Sequence, residues 1–274
     1  MSPTSSLDNQ TAPAGEALRI TEQDLDELFR LKHGDPETTG WSPRRRYRFG
    51  YHQPADHYEA MVRKLVTPET DWIDIGGGGA LFPDNQPLSK LLSERARRLV
   101  VVDPSDNIER NPFPHERVKC LIEDYQTEDR FDLATMRMVA EHITDPPSVV
   151  RTLSRLLRPG GNVVLFTVNR WAPVSVVSSL TPFWLHHPIK KLFFAEEDEK
   201  DTFPTVYRMN TRRRLKELFA ECGFEERCFV RLDDLSVFAR WKVLNYLELS
   251  AWRVLRRLRL GYPENCLLGV YRRT

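Results

Sequence analysis

The stretch Asp71-Trp72-Ile73-Asp74-Ile75-Gly76-Gly77-Gly78-Gly79-Ala80 constrains this chain more than any other. A short apolar run (Trp72, Ile73, Ile75) with one embedded acid ends abruptly in four glycines. It reads as a buried strand followed by the turn that leaves its carboxyl end. Glycine suits such a turn because it reaches positive φ and lets a ligand approach backbone that has no Cβ. In an open α/β sheet the crevice at that end takes nucleotide-like ligands. Asp74 stands just before the glycines, where a carboxylate would repel a pyrophosphate and suit a cationic ligand instead.

Before this strand, the first residues to about Ala17 are poor in hydrophobics and rich in Ser, Thr and Pro, so a disordered tail is expected over 1–20. Thr21 with Asp24 three residues on resembles a helix cap with an acidic first turn, and Leu25, Leu28 and Phe29 supply its apolar stripe. That helix ends near Gly34-Asp35-Pro36. Trp41 to His52 is aromatic and basic without a clean period. Helical spacing returns from Pro54 to Leu65, with Tyr58, Met61, Val62 and Leu65 on one side. Residues 21–70 are therefore expected to form a helical lid over the crevice.

Beyond the glycines, strand and helix alternate. Leu88, Leu91 and Leu92 lie on a helix; Leu99 to Val102 form a second strand ending at Asp103; Val118 to Ile122 form a third and Phe131 to Met136 a fourth. A helix through Val149, Val150, Leu153, Leu156 and Leu157 closes at Arg158-Pro159-Gly160-Gly161, before a fifth strand from Asn162 to Val168. Alternation with strands apolar on both faces implies an α/β fold with a parallel sheet covered on both sides. Then comes an insertion, about 171–205, rich in Trp, Phe, Leu and His. Asn210-Thr211 cap a basic helix (Leu215, Leu218, Phe219) that stops at Gly223. A sixth strand near Arg227 to Leu232, a helix over about Val237 to Leu258 and a last strand from Cys266 to Tyr271, able to pair back antiparallel, complete the chain.

The 274 residues suit one α/β domain with appendages. With 40 basic and 39 acidic side chains there is no field that makes nucleic acid the default partner, and short Arg runs such as Arg212 to Arg214 read as solvated helix faces. The four cysteines show neither a CxxC pair nor zinc spacing and read as reduced thiols of a cytoplasmic protein. No signal peptide, no internal repeat and no apolar run near the roughly 20 residues of a membrane span is visible.

Taken together, residues 54 to 272 resemble the class I S-adenosylmethionine (SAM)-dependent methyltransferases. Asp74-Ile75-Gly76-Gly77-Gly78-Gly79-Ala80 looks like the family's acid followed by GxGxG, with Ala80 in place of the last glycine. Asp103 matches the acid that holds the ribose hydroxyls, and Leu157-Arg158-Pro159-Gly160-Gly161 the turn before the fifth strand. Within the family, Arg137 to Arg170 is similar to the O-methyltransferases of ubiquinone biosynthesis, through Glu141-His142, Asp145-Pro146, Val149-Val150-Arg151, Pro159-Gly160-Gly161 and Thr167-Val168-Asn169-Arg170. Those enzymes also carry an insertion after the fifth strand. They have an acid, proposed to complete a metal site, where this chain has Met138, so no metal is carried over.

The resemblance implies a Rossmann-like, seven-stranded, mostly parallel sheet with an antiparallel terminal strand, an N-terminal helical lid and an inserted cap. It implies SAM as cofactor, with Asp74 near the amino-acid tail, Gly76, Gly77 and Gly78 facing tail and ribose, and Asp103 on the ribose with Pro104 beside it. Either Glu123 or Asp124 would meet the adenine amino group, and Arg137 and Met138 would line the cofactor at the methyl-transfer face. Methyl transfer is an in-line displacement that needs mainly alignment and desolvation. If the acceptor is a hydroxyl, a general base helps. His142 is the candidate, a histidine's ordinary pKa of about 6.5 suiting the task; its alternative role is to bond a neighbouring loop or position Glu141. His52, His57, His186 and His187, in the lid and cap, read as structural.

The expected activity is methyl transfer to a small, fairly apolar organic acceptor, on oxygen before nitrogen or carbon. A non-catalytic SAM-binding partner protein is the rival of another class. An NAD-dependent oxidoreductase also fits a glycine turn with an acid on the second strand, but Asp74, the Pro159-Gly160-Gly161 turn and the terminal strand count against it. The apolar cap, flanked by Lys190 and Lys191, is expected to wall off the acceptor or to rest peripherally on a membrane; the late helix with Trp241, Trp252 and its Arg cluster invites the same two readings. Acceptor, pathway and oligomeric state are not legible.

Overall fold

The structure, a computed structural model, describes residues 18–172, 204–258, 260–262 and 264–274. Nearly all of the expected tail and most of the cap, with His186, His187, Lys190 and Lys191, lie outside the described residues.

Seven strands form one sheet in the order β3-β2-β1-β4-β5-β7-β6. They are β1 (Asp71–Ile75), β2 (Arg98–Val102), β3 (Glu116–Val118), β4 (Phe131–Arg137), β5 (Leu157–Val168), β6 (Phe224–Asp233) and β7 (Glu264–Arg273). The pairs among β1 to β5 are parallel, and β7 runs antiparallel between β5 and β6. From β1 the chain moves outward to β2 and β3, then returns to place β4 on the other side of β1. The order reverses between β1 and β4, which opens a crevice at their carboxyl ends.

Alternation along each strand sends side chains to two cores. Ile73, Ile75, Val100 and Val102 face one core with helices α5 (Pro146–Leu156) and α6 (Arg212–Glu221). Trp72, Leu99 and Val101 face the other with α1 (Glu22–His33), α3 (Pro54–Leu65) and α4 (Gln86–Arg95). Two further helices lie among the described residues, α2 (Trp41–Phe49) and α7 (Lys242–Arg257).

Thr21 caps α1 through the expected reciprocal pair with Asp24. A buried ion cluster then ties α1 to α3: Lys32 Nζ lies 3.0 Å from Asp56 and 3.4 Å from Glu59. Glu59 in turn accepts from the Asn85 amide at 2.8 Å, while Asn85 Oδ1 caps α4 at Leu88 N–H. The N-terminal helices are thereby anchored to the loop that follows the glycine turn.

Several boundaries differ from the sequence reading. Trp41–Phe49 is a helix although none of its residues is buried, which is why no apolar period marks it. It is held from outside, by the Tyr47 hydroxyl on Asp26 and by Tyr47 packing on Phe29. The third strand stops at Val118, and Ile122–Asp124 turn as a 3₁₀ segment instead. The Arg158-Pro159-Gly160-Gly161 turn lies inside β5 as an irregularity: Leu157 pairs with Phe131 and Asn162 with Leu133, so the residues between loop out of register. The last helix begins at Lys242 because Ser236 to Trp241 make tight turns first.

Candidate functional site

The glycine turn is shaped by what its missing side chains make room for. Gly76 has φ +74°, and a Cβ there would collide with Val139 Cγ2; at Gly77 a Cβ would collide with Asp74 Oδ2 and stand 2.8 Å from Val101 Cγ1. Any larger residue at either position must shift its neighbours. Gly76 N–H donates to Val102 O at 2.8 Å, extending the β1–β2 pairing by one residue, and Ala80 N–H closes the turn on Gly77 O at 3.0 Å. Ala80 has no positive φ, so its methyl group replaces the expected glycine without strain.

Asp74 is buried beneath this turn. Its Oδ1 accepts the Thr135 hydroxyl at 2.5 Å, and that hydroxyl oxygen accepts Trp72 Nε1–H at 2.7 Å, so the single Thr135 proton is directed at the carboxylate. No ion pair neutralises Asp74 among the described residues. Burial pushes its pKa up to about 7; the Thr135 bond pulls it down, the nearby Asp103 carboxylate pushes it further up, and Arg137 pulls it down. A buried acid without a salt bridge among the described residues, a second acid close by and Cβ-free backbone above it make a cradle for positive charge.

Asp103, at the end of β2, is also buried. Its Oδ2 accepts Gly78 N–H at 2.9 Å, and its Oδ1 accepts both Ser105 N–H at 2.8 Å and the Ser105 hydroxyl at 2.6 Å. The carboxylate is thus fixed between the glycine turn and the β2 exit loop, with one lone pair, on Oδ2, left for a ligand. Pro104 follows it, half-buried. Glu123 is half-buried and Asp124 exposed, both on the 3₁₀ turn beyond β3.

On the β4 side, Met138 has φ +53°, one of two non-glycine residues with positive φ among those described; the other is Tyr207 at +49°. Met138 N–H donates to Phe166 O at 2.8 Å, prolonging the β4–β5 pairing, and the next residue is the Val139 that packs on Gly76. The Arg137 Nε is buried without a hydrogen-bond partner among the described residues. Glu141 O accepts Val206 N–H at 2.7 Å and Tyr207 N–H at 3.2 Å. Both strained residues therefore lie on the two chains that meet at Glu141, where backbone strain concentrates when surrounding contacts over-determine it.

Glu141 is buried, its pKa raised by burial, and its Oε2 accepts the Thr167 hydroxyl at 2.7 Å. The Asn210 amide donates to Thr167 Oγ1 at 2.7 Å and to Val168 O at 3.1 Å, while Asn210 Oδ1 has no partner among the described residues. His142 Nδ1 lies 3.2 Å from Pro204 O, and its backbone N–H donates to Val139 O. A carbonyl only accepts, so Nδ1 carries a proton in this contact. Asn210 also lines an open cavity of about 1080 Å³ at the ends of β5, β7 and β6, where Arg170, Arg208 and Arg214 stand among Trp171 and Tyr207.

The structure thus gathers Asp74, Gly76, Gly77, Gly78 and Asp103 into one bonded unit, with Arg137 and Met138 beside it. His142 belongs to the adjoining Glu141 loop, and no described hydrogen bond joins Glu123 or Asp124 to the glycine turn. His52 and His57 sit together in the N-terminal helices, ring centres 6.3 Å apart, with burial holding His57 down to about 4 and therefore neutral. Sequence reasoning missed Thr135, Ser105, Thr167 and Asn210 as site residues. Thr135 and Thr167 were visible as polar residues in otherwise apolar strands; Ser105 and Asn210 carried no such signal.

The sequence matches the family described as a methyltransferase domain over residues 44–228, more than half of the chain. It is 24% identical over 162 residues to a ubiquinone biosynthesis O-methyltransferase of Coxiella burnetii, covering 56% of this chain and 67% of that one. A second protein of that description, from Pseudomonas aeruginosa, is 30% identical over 108 residues, 36% of this chain and 44% of that one. Among solved structures, the [4+2]-cyclase SpnF superposes with a TM-score of 0.50 at 16% identity, covering 80% of each chain. That likeness shows the fold alone, and a cyclase sharing it illustrates that the fold does not dictate the reaction.

Proposed function

We propose a reaction for a chain that belongs to the methyltransferase-domain family and depends on SAM: transfer of a methyl group to a hydroxyl oxygen of a small, fairly apolar organic acceptor, with His142 as general base. The residues present fit the cofactor. A buried Asp74 with no salt bridge among the described residues suits the ammonium of its amino-acid tail, the second carboxylate, Asp103, suits a ribose hydroxyl, and the crowded Cβ positions at Gly76 and Gly77 keep the intervening backbone close. When bound, SAM supplies a methyl group already activated by its sulfonium charge.

The chain's own work is then alignment and proton removal. Asp74, Asp103 and the Cβ-free backbone of Gly76 to Gly78 would hold the cofactor, with Pro104 and either Glu123 or Asp124 at its adenosine end. Arg137 and Met138 line the methyl-transfer face, held by the Val139 contact to Gly76. His142, anchored through Nδ1, receives the acceptor's hydroxyl proton on Nε2. Glu141, Thr167 and Asn210 keep the loop that carries it in place, and helices α1 to α3 bear on the crevice through Asn85. In this reading the acceptor occupies the cavity beside Asn210, where arginines among aromatic side chains would match an acidic substituent on an apolar body. The names of the ubiquinone-biosynthesis relatives support oxygen as the acceptor atom.

The observation that carries this proposal is the paired site of Asp74 and Asp103 across the glycine turn. The test for the reaction is a screen of phenolic and carboxylic acceptors with wild type and His142→Ala, reading product by mass and methylation position by NMR. The variant is expected to bind SAM normally and to turn over about 10²-fold more slowly. Equal turnover would reduce His142 to a positioning role, and methylated nitrogen or carbon would overturn the acceptor assignment.

A further inference from the structure

Helix α7 buries Asn245, Glu248, Leu249 and Trp252 against the body, where Trp252 packs on Tyr51. Its opposite side is unusual. Of the twelve large hydrophobic side chains exposed among the described residues, eight fall between Trp241 and Leu260. At about 100° per residue, Val243, Leu244, Leu247, Ala251, Val254 and Leu258 fall within a single sector about 100° wide. Val243 is 72% exposed, Leu247 57% and Leu258 63%, so this stripe faces solvent along the whole helix. Trp41 adds an exposed ring at its amino end, under Arg45 and Lys242.

The charges around the stripe have one sign. Lys242, Arg253 and Arg257 lie along one border, with Arg240 before the helix and Arg256 stacked on Trp252. The helix carries one carboxylate, Glu248, which is buried and accepts the Tyr262 hydroxyl at 3.1 Å. Sixteen residues are too few to span a bilayer, and no described helix is long and apolar enough to do so. An apolar stripe bordered by cations on a helix that lies flat is the pattern of an interfacial helix. A two-fold contact between copies would instead bring Arg253 and Arg257 of one copy against those of the other, with no exposed acid on the helix to pair them.

We infer that the solvent face of α7 is a docking surface for an anionic phospholipid bilayer. Val243, Leu247, Val254 and Leu258 enter the acyl boundary, and Lys242, Arg253 and Arg257 meet the headgroups. This inference does not depend on the identity of the acceptor or on the role of His142.

The experiment is flotation of the full chain with vesicles of phosphatidylcholine alone and with vesicles containing one third phosphatidylglycerol. Capture on the anionic vesicles is expected to exceed that on phosphatidylcholine at least about tenfold and to weaken as salt rises. Leu247→Ser with Val254→Ser is expected to reduce partitioning about tenfold or more. Arg253→Glu with Arg257→Glu should abolish the preference for anionic lipid. SAM binding measured in parallel should be unchanged in both variants, which excludes unfolding. No capture on either vesicle, or double variants that partition like wild type, would overturn the inference. So would a concentration-dependent dimer that the Leu247→Ser, Val254→Ser variant abolishes while vesicles capture nothing.

Discussion

If Asp74 meets the SAM ammonium as proposed, its state makes SAM affinity a function of pH. With its pKa at about 7 in the ligand-free protein, about half of the molecules hold a protonated Asp74 at neutrality. Only the ionised form attracts an ammonium. Between about pH 6 and pH 7 the ionised fraction rises from roughly a tenth to a half, so the association constant should rise about fivefold, close to 1 kcal/mol. One further step down to about pH 5 should remove another tenfold. The measurement belongs below about pH 8, where the ligand's own amino group begins to lose its proton. Calorimetry in buffers of different ionisation enthalpy should also show about half a proton released per SAM bound at about pH 7. Asp74→Asn keeps an oxygen for the Thr135 hydroxyl but cannot ionise, so it should bind weakly and without this slope. The same displacement has a cost in the fold. A carboxyl raised from 3.8 to about 7 stabilises the folded state below about pH 4 and loses that contribution as pH rises through 7, roughly 4 kcal/mol in all. Ligand-free Asp74→Asn should therefore melt higher than wild type at about pH 8. A flat wild-type affinity between pH 6 and 7, or a variant that binds SAM as tightly as wild type, would refute the reasoning.

Other outcomes follow from the same geometry. Asp103→Ala should weaken SAM binding by about 1.5–3 kcal/mol, the scale of a hydrogen bond to a charged group, and unchanged affinity in calorimetry would remove Asp103 from the ribose site. Lys32→Met leaves Asp56 buried without its cation and should cost about 3–5 kcal/mol in urea unfolding, whereas an unchanged midpoint would show that water already relieves the cluster.

The parts of this fold that were legible in the sequence are those whose residues report on their own burial. Strands β1, β2, β4 and β5 are apolar on both faces, α3 and α6 carry clear stripes, and Asp74 and Asp103 stand out as acids ending such strands. What failed to register was structure held by contacts from elsewhere. Helix α2 buries nothing, so its pattern is silent, and it forms because Asp26 and Phe29 receive Tyr47. The third strand was overextended because Cys120 to Ile122 reads as apolar, whereas Ile122 is buried from within a 3₁₀ turn. The site was half visible for the same reason. Ligand-facing acids break an apolar run, but Ser105 and Asn210 act by reaching across loops, and spacing along the chain does not encode that.

That difference bears on how the site can work. In the proposed reading the cofactor half is braced, because Asp74 lies in β1 and the turn that follows it is bonded to Asp103 at the end of β2 through Gly78 N–H. The proposed acceptor half is assembled from two loops, at Glu141 and at Tyr207, joined through backbone bonds and the buried Glu141–Thr167–Asn210 chain. A buried acid whose pKa is raised, an amide oxygen left without a donor and two residues at positive φ are costs that packing alone would not retain. They become reasonable if an acceptor hydroxyl or a bridging water supplies the missing donor to Asn210 Oδ1 during the reaction. Replacing Asn210 by Asp would keep the oxygen and remove the amide donor, so the loop should loosen and turnover fall even where SAM affinity is unchanged. In the proposed reading the glycine-turn half fixes where the methyl group sits, and the assembled half decides what comes to meet it.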